Sequence, residues 1–126
     1  MLSDMNDASR LQRLEKQIQQ VKRRLVALGD MRPGSLSQQY NVCGKAGCRC
    51  KATRNPKRHG PYYQLSYVHR GKSTSQFIRP GVVKTVKAQL ATYKTFRKLT
   101  EEWIQLALHI AKLKLAAAKK KKNASN

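Results

Sequence analysis

The 126-residue chain carries 27 Lys and Arg against six Asp and Glu, a net charge of +21. That length has room for one domain with a thin core, and so large an imbalance repels itself unless a polyanion meets it. No apolar run approaches the roughly eighteen residues a membrane span needs, and the start, Met1-Leu2-Ser3-Asp4-Met5-Asn6-Asp7, is polar and acidic, unlike a secretory signal; these features exclude a spanning protein and predict a cytoplasmic, nucleoid-associated one.

Residues 1–30 read as an N-terminal heptad helix. From Ser9 to Leu28 the apolar residues are Leu11, Leu14, Ile18, Val21, Leu25 and Leu28, at steps alternating between three and four, the spacing of a coiled-coil seam. Arg, Lys, Gln and Glu, all good helix formers, fill the rest. So short a seam predicts packing against another helix. Gly29-Asp30 and Arg32-Pro33-Gly34 end the segment.

Residues 31–80 read as a zinc-knuckle sheet core. Ser35 to Val42 places Leu36, Gln38, Tyr40 and Val42 on one face and Ser35, Ser37, Gln39 and Asn41 on the other, the period-two pattern of a half-buried strand. It leads into Cys43-Gly44-Lys45-Ala46-Gly47-Cys48-Arg49-Cys50, followed by His59-Gly60-Pro61-Tyr62-Tyr63. The spacing Cys-x4-Cys-x-Cys-x8-His offers three thiolates and an imidazole, a donor set that tetrahedral zinc takes in closed structural sites.

The ligands read from this pattern are Cys43, Cys48, Cys50 and His59, with His69 an alternative fourth ligand and His109 too distant in sequence. An extended backbone would point Cys48 and Cys50 to the same side, and Gly44 and Gly47 would let the chain turn between Cys43 and Cys48. Lys45, Arg49 and Lys51 favour the thiolate forms that metal binding requires. Three cysteines cannot all pair in disulfides, and an iron–sulfur cluster would ordinarily take a fourth.

The loop Lys51-Ala52-Thr53-Arg54-Asn55-Pro56-Lys57-Arg58 reads as an exposed basic finger. Pro61 to Val68 and Lys72 to Arg79 read as two strands joined at His69-Arg70-Gly71. Tyr63, Leu65 and Tyr67 share a face; on the return, Ser73, Ser75 and Phe77 alternate with Thr74, Gln76 and Ile78. With the strand before the knuckle they make a three-stranded antiparallel sheet that needs outside support.

After Pro80-Gly81 a long amphipathic helix is predicted, residues 81–118 as a segment. Its stripe is Val83, Val86, Leu90, Tyr93, Phe96, Leu99, Trp103, Leu106, Ile110 and Leu113. It outreaches the sheet, so its distal half is expected to pack on the N-terminal helix or on a second copy. Residues 119–126, beginning with Lys119 to Lys122, are expected to form a disordered basic tail. The fold class is therefore α+β: a small three-stranded antiparallel sheet with a zinc knuckle, flanked by two helices that pack as a helical hairpin or coiled coil.

The run Met31-Arg32-Pro33-Gly34-Ser35-Leu36, with the Cys43–Cys50 segment and His59-Gly60-Pro61-Tyr62-Tyr63, resembles a family of small uncharacterised prokaryotic proteins often encoded near transposase genes. The likeness extends to about Trp103. It implies a prokaryotic origin and a tie to mobile DNA, shares Cys43, Cys48, Cys50 and His59 as its signature, and brings no established activity.

Charge directs the functional expectation. No acidic residue lies from Met31 through Thr100, whereas fourteen Lys or Arg fall between Cys43 and Thr100. The expected function is a zinc-stabilised nucleic-acid-binding accessory or regulatory protein, with DNA favoured over RNA. Lys45, Arg49, Lys51, Arg54, Lys57, Arg58, Arg70, Lys72, Arg79, Lys84 and Lys87 would contact phosphates. Lys94, Arg97 and Lys98 would extend the track, and a solvent-facing Tyr62, Tyr63 or Tyr67 could stack an unpaired base. The alternative is a coiled-coil interaction module in which the heptad helices form a homodimer or recruit a partner such as a recombinase. A membrane-surface role for the basic amphipathic stretch Ile104 to Leu115 is a weaker third reading. No enzyme is expected: after Asp30 the only carboxylates are Glu101 and Glu102, adjacent on a helix and so facing different ways.

Overall fold

Strand β2 (His59–His69) is the centre of an antiparallel sheet, with β1 (Ser35–Asn41) on one side and β3 (Lys72–Ile78) on the other. The computed structural model describes residues 2–124, which also include α1 (Leu2–Val26) and α2 (Val83–Ala124). Leu65 stands opposite Leu36 on β1 and Gln76 on β3, and Tyr63 opposite Gln38 and Ile78. Because facing residues of an antiparallel ladder share a side, this register puts Leu36, Tyr63, Leu65, Tyr67, Thr74 and Ile78 on one face, all buried or half-buried. The β2–β3 connection is two residues long, with Arg70 and Gly71 both at positive φ, 51° and 76°, the conformation that matches the twist of a tight hairpin.

The chain divides into two compact units, residues 30–93 and residues 1–29 with 94–126. One long helix thus contributes to both. In the sheet unit, Leu65 is completely buried, and Val83 and Val86 from the start of α2 are buried in the same unit. Arg32 joins that start to the chain entering β1: its backbone N–H donates to the Gln89 carbonyl and its Nε to Gln89 Oε1, at 3.2 and 2.6 Å. Gly34, at φ 122°, lies so close to β2 that a Cβ there would sit 2.5 Å from the Ser66 carbonyl oxygen.

In the helical unit the expected seam is present. Leu14 and Val21 are buried, and Leu11, Ile18, Leu25 and Leu28 half-buried, while Val26, outside the seam, is 86% exposed. On α2, Leu99 is buried and Phe96, Trp103, Leu106, Ile110 and Leu113 half-buried. The helices run antiparallel: Lys22 sits 5.1 Å from the centroid of the Trp103 ring, and Lys120 Nζ lies 3.4 Å from Asp7. That polarity brings the two apolar stripes together as a hairpin.

Two local expectations are corrected. The period-two pattern of β1 fails at its end, where the register shifts between Gln39 and Asn41; such a shift re-aims the side chains beyond it, and Tyr40 and Val42 emerge 51% and 52% exposed. The basic run Lys119–Lys122 continues α2, which extends to Ala124, because Ala, Lys and Leu all favour helix; only residues 125–126 of the expected tail lie outside the described residues. No described helix is long and apolar enough to cross a membrane.

Candidate metal centre

Cys43, Cys48, Cys50 and His59 converge, with one ligand atom from each lying within 4.8 Å of every other. Cys43 follows β1, His59 opens β2, and Asn41 pairs with His59 across the ladder, so sheet pairing itself brings the two ends of the motif together. Between them the chain turns at Gly47, whose φ is 77°, a conformation that costs glycine little. Gly44 is not in the left-handed region and has open space around it; Gly47 alone makes the turn for which both glycines were expected. Cys48 and Cys50 also meet differently from expectation. Arg49–Lys51 form one turn of 3-10 helix preceded by an extended Cys48, and this turn, rather than an extended strand, aims both sulfurs at one point.

The inward-facing thiol is Cys50, 2% exposed; Cys43, Cys48 and His59 are half-buried. Cys43 Sγ lies 3.6 Å from Cys50 Sγ, far beyond the roughly 2.05 Å of a disulfide, and all three cysteines are free. Cys48 Sγ is 3.3 Å from His59 Nε2, and the Cys43 backbone N–H points to Cys50 Sγ at 3.4 Å. The finger is closed at its base by Lys57 N–H donating to the Arg49 carbonyl at 3.0 Å. Its residues, 51–58, are all exposed, and Asn55 turns it at φ 48°, a conformation Asn tolerates better than most residues.

The site's electrostatics favour the metal-binding form at Cys43 and Cys48 and the protonated form at Cys50 and His59. The Cys50 backbone N–H, then the Cys43 and Cys50 side chains and His59, hold the Cys48 thiol down from 9.0 to about 6. The Lys45 backbone N–H lowers Cys43. At Cys50 the Cys43 N–H pulls downward, but burial and the two neighbouring sulfurs outweigh it and raise the thiol. Hydrogen bonding to Cys43 and then Cys48 raises His59. One acidic thiol, one reluctant buried thiol and a basic imidazole make a set in which metal binding displaces protons.

The choice of histidine is resolved by the strand. His59 and His69 are the first and last residues of β2, about 33 Å apart at the usual strand rise, so His69 is far from the sulfurs. His109 lies on α2 in the helical unit and is not in the cluster. The cations expected to contact phosphate, Lys45, Arg49, Lys51, Arg54, Lys57, Arg58, Arg70, Lys72, Arg79, Lys84 and Lys87, are all exposed and all in the sheet unit. Among the described residues none of them has an acidic partner within ion-pair distance. Lys94, Arg97 and Lys98 are exposed too but belong to the helical unit. Of the tyrosines, Tyr62 is exposed, whereas Tyr63 and Tyr67 are half-buried on the inner face.

Sequence reasoning did not assign the surroundings of the cluster. Asn41, Val42, Cys43, His59 and Tyr62 line a cavity of about 290 Å³ beside it. The signal was available only through the β1–β2 register, which puts Asn41 opposite His59. Three cysteines and a histidine are therefore close enough to hold one metal ion, with no disulfide among them.

No curated protein and no solved structure matches the chain. A family model does match residues 11–88, which include α1 from its first seam leucine, the whole sheet and every residue of the cysteine–histidine cluster. On that match, the chain belongs to the family described as Domain of unknown function (DUF6788).

Proposed function

We propose that the chain is a nucleic-acid-binding accessory or regulatory protein in which a structural zinc ion fixes a small basic sheet. The supporting observation is the pairing of a complete four-ligand cluster with exposed cations that, among the described residues, have no acidic partner. A zinc ion about 2.3 Å from each thiolate and about 2.0 Å from an imidazole nitrogen holds its donors roughly 3.5–3.8 Å apart in a tetrahedron. The contacts of 3.6 Å between Cys43 and Cys50 and 3.3 Å between Cys48 and His59 fit that geometry. Four protein ligands leave no open position for a reacting water, so the ion's role is to fold the knuckle, and no enzymatic role is proposed.

The finger is the first phosphate-binding element. Both its ends are held at the metal, so Arg54, Lys57 and Arg58 project as a constrained cluster. Contacts of this kind neutralise phosphate without reading sequence. Duplex DNA, with its dense line of charge, is the preferred polyanion, and a cytoplasmic setting near mobile genetic elements fits the resemblance carried by the cysteine–histidine signature. The heptad hairpin of α1 and α2 favours a second reading, a module that recruits a protein such as a recombinase or dimerises; the cationic sheet unit argues against that being the whole function.

The test is a titration of duplex DNA at several salt concentrations with the native protein and the triple variant Arg54→Gln/Lys57→Gln/Arg58→Gln. Native binding is expected to weaken steeply with salt. The slope in the variant should fall by about 0.9 for each phosphate that is no longer neutralised. A native protein whose affinity is flat in salt, or that does not bind at all, overturns the reading.

A further inference from the structure

The sheet has a second face. Tyr62, Gln64, Ser66 and Val68 on β2 alternate with the buried residues, as do Ser73, Ser75 and Phe77 on β3 and Ser35, Ser37 and Gln39 on β1. Three apolar side chains stand exposed on it: Phe77 at 67%, Val68 at 64% and Tyr62 at 42%. Between them runs a hydrogen-bonded floor across all three strands. Gln39 Nε2 donates to Gln64 Oε1 at 2.7 Å, Gln64 Nε2 donates to Ser75 Oγ at 2.9 Å, and Ser75 Oγ meets Ser66 Oγ at 2.9 Å. These bonds fix the two carboxamides while leaving each a spare N–H and lone pair.

We infer that this outer face is a stacking platform for single-stranded nucleic acid. The inference rests on the proposed function and names the ligand form that the sheet takes. Phe77 faces Gln64 across the β2–β3 ladder, and Tyr62 lies two residues before Gln64 on the same side. Tyr62 and Phe77 are therefore diagonal neighbours, about 7–8 Å apart, placed so that successive unpaired bases can each cover a ring. Arg79, the next residue of this parity just past the end of β3, is exposed at the Tyr62 end, and Arg70 is exposed in the hairpin turn at the other. This combination of aromatic rings, fixed amide groups and flanking cations is the chemistry that holds single strands, by stacking on base faces and neutralising the backbone.

Charge selects this occupant over a second copy of the chain. Residues 31–93 contain no acid, so two such faces brought together would confront cations with cations. Nor is the patch a continuous apolar surface of the kind that seats a protein helix, since Ser and Gln separate its three exposed hydrophobes.

The test compares the native protein with Tyr62→Ala/Phe77→Ala, in binding to an oligothymidylate single strand and to a duplex of equal length. Retained metal content and tyrosine circular dichroism establish that the variant is folded. Single-strand affinity should fall at least about fivefold for each ring removed, with duplex affinity held by the finger. If the native protein binds duplex DNA but the variant loses no single-strand affinity, or loses both affinities equally, the platform is refuted and the basic-finger reading stands. If the native protein binds neither probe, both readings fall.

Discussion

Chelating the metal should melt the sheet unit while leaving the helical unit folded. The fully or nearly buried aliphatic side chains of the sheet unit are Leu65, Val83 and Val86. At about 1.5–3 kcal/mol each, they contribute roughly 5–9 kcal/mol. A structural zinc ion bound by cysteine and histidine contributes about 10–16 kcal/mol at neutral pH, more than the whole of that aliphatic core. The residues supply their own probes. Tyr40, Tyr62, Tyr63, Tyr67 and Tyr93 all lie in the sheet unit, whereas the single tryptophan, Trp103, lies in the helical unit beside Lys22. Thermal unfolding followed by tyrosine near-ultraviolet circular dichroism should lose its transition when a strong chelator is added. Trp103 fluorescence should still report a folded helical pair. A tyrosine transition at the same temperature with and without chelator would refute the claim that the ion, rather than apolar burial, holds the sheet.

Three further outcomes follow from single features. Gly34→Ala should cost about 2–4 kcal/mol in chemical denaturation, since the new Cβ meets the Ser66 carbonyl oxygen at 2.5 Å and Tyr67 Cβ at 2.9 Å at a φ of 122°; Gly44→Ala, with nothing within 4 Å, should be close to neutral. Metal affinity, measured with a competing chelator, should fall as pH drops from 8 to about 5.5: Cys48 is a thiolate only above about 6, while His59, raised from its usual value, keeps its competing proton to higher pH. An affinity that is constant over that window would contradict the ligand assignment. Val21→Asp should unfold the helical pair, by about 3 kcal/mol or more for an unpaired carboxylate in a buried site, and Val26→Asp should not, because Val21 is 2% and Val26 86% exposed; equal melting temperatures for the two variants would remove the seam.

The parts of the fold that were legible in the sequence are those written in periodic or clustered residues. The seam from Leu11 to Leu28 survives because apolar residues at alternating steps of three and four can bury together on only one side of a helix. The strands around Leu65 were readable from alternation, and the metal cluster from soft ligands crowded into a few positions. What was not legible depends on pairing between distant segments. The shift at Gln39/Asn41, which turns Tyr40 and Val42 outward, arises from how β1 meets β2. The 3-10 turn at Arg49–Lys51 stands where the alternation of Cys48 and Cys50 suggested extended backbone. His69 stood as an alternative to His59 until the strand placed the two at opposite ends. The outer face of the sheet was visible as a pattern of serines, but the exposure of Phe77 and the linking of Gln39, Gln64 and Ser75 required the three-strand register.

The most direct measurement is elemental analysis of the purified protein beside its Cys48→Ser and His69→Ala variants. The account predicts about one zinc per chain in the native protein and in His69→Ala, and loss of the ion in Cys48→Ser. A native protein free of metal, or a Cys48→Ser variant that keeps its full complement, would contradict the proposal that these four side chains clamp an ion at the root of the sheet.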